Sequence, residues 1–494
     1  MICVITNKPS NSKIMKIGKR LVLILLLVQI AVFNLRAAEP AWAAKVGVRN
    51  QKIGKAIFKA NTYGAVNDGK TLNTKAIQKA IDVCSAKGGG IITFAPGKYV
   101  TGSLFVKKNV FIRLDKGVVL LGSQDLKDYP EIDTRVAGIE MKWPAALINI
   151  IGQKNVGLSG EGTVNAQGKP FWDAYWDLRK EYEPKGLRWI VDYDAKRPRT
   201  LLITSSEDVS VKGLTFQQAG FWTVHVLYSS YVTIDGITIQ NNVDGHGPST
   251  DGIDIDSSSW VLVQNCDIDC NDDNFCIKSG RDWDGLRVNK PAEYIVIKDC
   301  VSRKGGGLIT FGSETSGGMR HIIAKNLKAS GTKVGMRFKS AKNRGGTIED
   351  IYLSNIQMSN VGVALEITPN WNPAYSYSTL PVGYDINKVP EHWKKMLMEV
   401  KPEDGIPVFK DIYISDIKVT QARKAIFADG LSELPLKNFQ LKNINMSAKT
   451  AGSIKNAENW TMENVNIQAI DKSKVLITDS KNIGAVNSTS TNQL

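Results

Sequence analysis

Histidine is scarce in this chain, four residues in 494, and cysteine is odd in number once the first 43 residues are set aside. Cys84, Cys266, Cys270, Cys276 and Cys300 have no histidine at metal-ligand spacing, so buried thiols or one disulfide are expected in preference to a metal centre. Glycine (43) and proline (17) follow no collagen period, and 43% hydrophobic against 22% charged residues excludes a mainly disordered chain. Hairpin-turn signals are sparse, which argues against a propeller of ~40-residue blades. Long apolar runs are limited to one, close to the N-terminus.

That run is Leu21 to Leu35, with Lys16, Lys19 and Arg20 before it and Ala41-Trp42-Ala43 after it. A basic flank, a short apolar core and a small-residue site match a secretory signal peptide, with cleavage expected after Ala43. A membrane span needs ~20 apolar residues, so the run falls short of one. Residues 1–43 are therefore expected to direct export, to a periplasm or outside the cell, leaving 44–494 free of the membrane. Removing 1–43 takes six basic residues and one acidic one and lowers the net charge from +15 to +10. A basic exported protein is better suited to an acidic polymer than to nucleic acid.

A length of 494 residues would ordinarily suggest about three domains of ~150 residues. Repetition overrides that prior. A unit of the form apolar-x-apolar-x-turn-apolar recurs from Val209, Val232, Val261, Ile295, Ile322, Ile351, Ile412, Phe439 and Trp460. Its internal period is two, so the units are strands. One position in it holds Gly213, Gly236, Asn265, Asp299, Asn326, Asn355, Asp416, Asn443 and Asn464 in turn, the residue types that tolerate a left-handed bend. A strand and such a bend in every ~20–30 residues predicts an all-β fold, a single parallel β-helix over 44–494. The segment 74–86, with Ile77, Ala80, Ile81 and Cys84 on one face, predicts an amphipathic helix capping the N-terminal end of the solenoid. Two insertions, 169–199 and 368–409, are rich in aromatic residues, the first also in arginine, and should emerge as loops over one face.

Between the repeat units a second set of strands aligns without gaps. Ser249-Thr250-Asp251 sits on Asn271-Asp272-Asp273, followed by Gly305-Gly306-Gly307 and then by Met336-Arg337-Phe338-Lys339. Rungs are ~4.8 Å apart, so Asp251 and Asp273 share a column with Asp272 just before it. Three carboxylates and two cations on one face suit glycosidic cleavage, which needs one protonated and one ionised carboxyl. Asp254 and Asp256 fit a solvated acidic turn or a calcium site better than the other three do.

These residues resemble glycoside hydrolase family 28, the polygalacturonases and their pectin-degrading relatives, over roughly residues 60–470. Ser249-Thr250-Asp251 looks like the family's N-T-D motif, Asp272-Asp273 like its D-D, Arg337-Phe338-Lys339 like its R-I-K, and Tyr63 to Gly69 like its Y-G-A-x-x-D-G. The resemblance implies a right-handed β-helix that hydrolyses α-galacturonosidic bonds with inversion and without a metal or cofactor. Asp272 would be the general acid, Asp251 and Asp273 would activate water, and Arg337 and Lys339 would bind the galacturonate carboxylate. Arg281 and Glu314 resemble segments that shape subsites in exo-acting relatives. The histidine of the family's G-H-G motif falls on Gly306, and His246, in Gly245-His246-Gly247, or His225 stands as a replacement. The substrate implied is an acidic plant cell-wall polysaccharide (pectin, galacturonan or rhamnogalacturonan), attacked by a monomer from the chain end. A polysaccharide lyase or a non-catalytic scaffold fits the aspartate pattern less well.

Overall fold

The structure, a computed structural model, describes residues 39–243 and 245–488. Most of the expected signal segment lies outside the described residues. From Ile57 to Ser488 the described chain winds into a right-handed parallel β-helix, built from rungs of short strands stacked in register. Successive rungs pair as expected from the repeat: Val209 with Val232, then Val261, Ile295, Ile322, Ile351, Ile412 and Phe439. Trp460 stacks on Phe439 at 4.5 Å and is followed in the column by Ile483.

Alternation decides what faces the interior. In the strands that carry the aspartates, Ile203, Val226, Ile255, Ile277, Phe311, Phe338 and Ile367 form one fully buried inner column. Burying each such side chain stabilises the fold by about 1.5–3 kcal/mol. The alternate residues His225, Asp254, Cys276, Thr310, Arg337 and Glu366 therefore line up on the outside of the same sheet. All five cysteines described are buried free thiols, so no disulfide staples the solenoid.

The helix Thr74–Ala86 lies where expected, with Ile77, Ala80, Ile81 and Cys84 buried in the main core. Gln78 fixes it to the first rungs, exchanging hydrogen bonds of 2.8 and 2.9 Å with the Phe105 backbone. Both insertions emerge as loops with short helices, chiefly Lys169–Tyr182 and Glu391–Met396. A third excursion, the hairpin Glu131–Val136 with Ile139–Pro144, was not expected from the sequence. The three pack on one another through a second core that includes Trp143, Trp189, Tyr193, Trp222, Trp393 and Met396. Most of the insertion aromatics thus serve packing.

The corner position behaves as its residue types require. From Gly213 to Asn464 every occupant has φ between 51° and 71°. At this corner the amides also chain together: Asn355 donates to Asn326 and Asn326 to Asp299, each at 2.8 Å. An alanine at 355 keeps neither the comfortable φ nor the bond, and about 2 kcal/mol should be lost. Glycine keeps the φ and should lose about half as much. Denaturant midpoints of Asn355→Ala and Asn355→Gly check this; equal losses would mean that backbone strain is not the cause.

Candidate active site

Asp251, Asp272 and Asp273 meet in a cleft lined also by Ala137, Arg188, Asp192, Trp222, Lys278, Glu314, Lys339, Trp371 and Tyr375. Residues from the hairpin and both insertions therefore surround the three carboxylates. Asp273 is clamped. Its Oδ2 accepts from Lys339 Nζ at 2.8 Å, and its Oδ1 from Thr310 Oγ1 at 2.8 Å and Arg337 Nη1 at 3.5 Å. Burial works to raise this carboxyl, but Lys339 and Arg337 outweigh it and hold Asp273 well below the usual range. Arg337 is itself steadied by Glu366 at 3.0 Å.

Asp272, one residue earlier, is treated in the opposite way. It is half-buried, and no donor reaches its carboxylate among the described residues. Burial and then the charge on Asp273 push it up. The triple glycine is explained here. A Cβ on Gly306 would stand 2.8 Å from Asp272 Oδ1 and 3.2 Å from Asp273 Oδ1, so any side chain at 306 would displace the carboxylates. Position 306 is thus closed to a histidine unless Asp272 moves.

Beneath them lies a buried cation. Lys278 sits 3.5 Å from Asp251, 3.4 Å from Asp254 and 3.5 Å from Glu314, with the Trp222 ring 4.5 Å away. One ammonium cannot balance three buried carboxylates, so the cluster keeps a proton. Burial, then Asp254, raises Asp251 well above its ordinary range, and burial lifts Asp254 to about 7 against the pull of Lys278. Among the described residues no donor bonds Asp251 Oδ1 or either oxygen of Asp254, a need that a proton held between them meets. Glu314 stays ionised: burial opposes this, but Lys278 and Arg344 prevail.

The expectation for Asp254 and Asp256 is corrected. Neither is solvated; both are fully buried. Asp256 pairs with Arg135 at 2.9 Å, and against burial that partner holds it at about 2. Behind the cleft, burial lowers His225 to about 4, so the ring is neutral and its Nδ1 accepts from Arg199 at 2.8 Å. His246 is exposed, 3.3 Å from Asn242 Oδ1, and does not line the cleft. Arg281 is fully buried and donates to Tyr193 Oη (2.8 Å) and the Tyr375 carbonyl (2.7 Å), bracing the wall from behind. Lys278, six residues after Asp272, was not singled out from the sequence. Arg188 and Asp192 come from the first insertion and pair at 2.8 Å. Among the described residues a metal has one candidate set, Asp251, Asp273 and Cys276, with ligand atoms within 4.8 Å of one another. Lys278 and Lys339 already supply positive charge to its two carboxylates, which disfavours a further cation there.

The profile described as Glycosyl hydrolases family 28 matches residues 111–390, and one described as Rhamnogalacturonase A/epimerase, pectate lyase-like, matches 57–136. A probable polygalacturonase of Vitis vinifera is 32% identical over 380 residues, 74% of each chain. The chain belongs to glycosyl hydrolases family 28. This family 28 enzyme is also 23% identical over 446 residues to an exo-poly-alpha-D-galacturonosidase of Dickeya chrysanthemi, covering 83% of this chain and 70% of that one. Its fold matches a hyperthermoactive exopolygalacturonase from Thermotoga maritima with a TM-score of 0.68 at 23% identity, covering 87% and 94% of the two chains. It is a glycoside hydrolase.

The Asp251–Asp254 proton has a measurable consequence. A folded-state carboxyl raised to about 7 holds a proton that the unfolded chain, near its ordinary ~3.9, gives up. Stability from this site is full below pH ~4 and falls as pH rises toward 7. Asp254→Asn cannot ionise, so its melting temperature relative to wild type should be higher at pH 8 than at pH 5. An unchanged difference across that range would place the proton elsewhere.

Proposed function

We propose that this enzyme hydrolyses α-galacturonosidic bonds in pectic galacturonan, with inversion, from the chain end. The observation that carries the reading is the split between two adjacent carboxyls. Asp273 is held ionised by Lys339 and Arg337, and Asp272 beside it is pushed toward the protonated form. Asp272 then gives its proton to the glycosidic oxygen as the bond to the anomeric carbon breaks. Asp273, the ionised carboxylate, takes a proton from the attacking water, and Asp251 in the same column, sharing its proton with Asp254, helps to hold that water. Adding water from the face opposite the leaving group inverts the anomeric centre. Arg337 and Lys339 would meet the sugar carboxylate as well as Asp273, a role that charge-assisted bonding suits. The relatives named for polygalacturonase and exo-poly-alpha-D-galacturonosidase activity support the substrate.

Chain-end attack is supported by the wall. The hairpin turn at Ala137, Arg188 of the first insertion, and Trp371 and Tyr375 of the second all reach the cleft, and their shared core keeps them there. A cleft stopped at one side admits a terminus and not a chain interior. The basic flank, apolar run and Ala41-Trp42-Ala43 support export before the enzyme meets its polymer.

Digestion of de-esterified galacturonan tests this reading. Galacturonate monomer should appear alone from the first time points, with little fall in viscosity. A ladder of intermediate oligomers would overturn chain-end attack, and an unsaturated, ultraviolet-absorbing product would overturn hydrolysis itself. Asp272→Asn, an isosteric change that removes the proton donor, should cut kcat by ~10²–10⁴-fold with the melting temperature unchanged. A variant retaining more than about a tenth of the wild-type rate would exclude Asp272 as the acid.

A further inference from the structure

The rungs beyond Asp272 carry a second pattern that the reaction centre does not use. Extending the strand register places Asp272, Gly306, Lys333, Gly362, Arg423 and Lys449 in one column along the N-terminal ends of the site strands. The backbone confirms the stacking: Gly306 N–H donates to the Asp272 carbonyl at 2.7 Å and Gly362 N–H to the Thr332 carbonyl at 3.1 Å. Lys333, Arg423 and Lys449 are all exposed, and none has an acidic partner among the described residues. The two glycines keep the floor between the charged side chains bare. At Gly362 a Cβ would stand 2.3 Å from the Lys333 carbonyl and 2.8 Å from Arg423 Nη2, so the guanidinium lies across a position where no side chain fits.

At ~4.8 Å per rung, Lys333 is ~10 Å and Arg423 ~19 Å from the column position of Asp272. One sugar ring bonded to the leaving oxygen at Asp272 falls short of Lys333; a longer leaving segment does not. The insertion 368–409 departs from the C-terminal end of its strand, Val363–Thr368, and so leaves the column open to solvent. The walled side of the cleft takes the terminal sugar, and the remaining polymer must leave by an open side.

We propose that Lys333, Arg423 and Lys449 form a basic ladder that binds the carboxylates of the leaving galacturonan segment, beyond the sugar held at the reaction centre. This rests on the galacturonan reading and adds to it a length preference. A neutral polysaccharide would gain nothing from three unpaired cations in a row, whereas a polymer with a carboxylate on each sugar meets one repeatedly. The contacts are exposed, so each is modest and sensitive to salt.

The test is a Lys333→Ala/Arg423→Ala double variant, assayed for kcat/KM on oligogalacturonates of two to six units. The loss should grow with length, from under about twofold on the dimer to about tenfold on the hexamer, as expected for two exposed charge contacts. A loss equal at every length, or none on the hexamer, would overturn the ladder. If the wild-type enzyme released galacturonate from no oligomer, the substrate reading would fall, and binding would then decide the ladder separately. Retardation in a native gel containing polygalacturonate should be weaker for the double variant than for Lys75→Ala/Lys79→Ala, which removes equal charge from the helix Thr74–Ala86. Equal retardation of the two variants overturns the proposal.

Discussion

In-register stacking of parallel strands is the constraint from which the site follows. Across the site strands each rung pairs with the next residue for residue, so a residue's column is set by the inner apolar positions, not by its own chemistry. Ile255 stacks on Ile277, and Ile277 on Phe311. With those fixed, Asp254 and Asp256 must point outward, Lys278 must follow Asp256, and Arg337 must follow Thr310. A slip of one residue would put the aspartates inside and the isoleucines in the cleft. The large apolar interior thus holds the charged face in register.

On that face the carboxyls differ through their neighbours alone. Asp272 and Asp273 are consecutive and chemically identical. Asp273 reaches three donors, from Thr310, Arg337 and Lys339, while Asp272 lies over a glycine and reaches none among the described residues. A buried carboxylate that keeps its partners stays ionised, and one that lacks them takes a proton. The same logic runs below: Lys278 supports Glu314 as an anion but leaves Asp251 and Asp254 with a proton to hold. Burying three carboxylates with one lysine does not stabilise the fold. It keeps a proton close to the reacting groups.

Much of this was legible in the sequence, for a definite reason. The repeat from Val209 to Trp460 and the corner residues from Gly213 to Asn464 repeat the same physical demand on every rung, so chance could not hide them. The helix 74–86 was equally plain, because its apolar face follows a single period. The column of Asp251 and Asp273 followed from the strand alignment. What could not be read were partners supplied from outside the repeat. Asp256 looked like a solvated carboxylate because its cation, Arg135, stands 121 positions away on a hairpin whose strands have no strong alternation. Arg281 looked like a substrate contact because its buried carbonyl acceptors belong to the second insertion. His246 carried a motif-like setting in a loop, and loops have no register to fix where a side chain points. Gly306 was read as a lost histidine; its neighbours make it a space kept for Asp272.

The regularity that fixes the site also limits where its asymmetry can come from. A solenoid repeats along its axis and distinguishes one end of a bound polymer from the other only weakly. Here the difference is supplied by two kinds of departure. Insertions raise a wall beside the aspartates, held by contacts such as Trp189 to the Thr379 carbonyl and Trp393 to Asp194, each at 3.0 Å. Substitutions within the repeat place Lys333, Arg423 and Lys449 exposed at the strand ends opposite to the one from which the second insertion departs, with Gly306 between Lys333 and Asp272. A wall alone would stop a chain of any composition, and a basic strip alone would attract an acidic polymer in either direction. Together they give the cleft a polarity: apolar bulk where the chain must end, and unpaired positive charge where an acidic chain must continue.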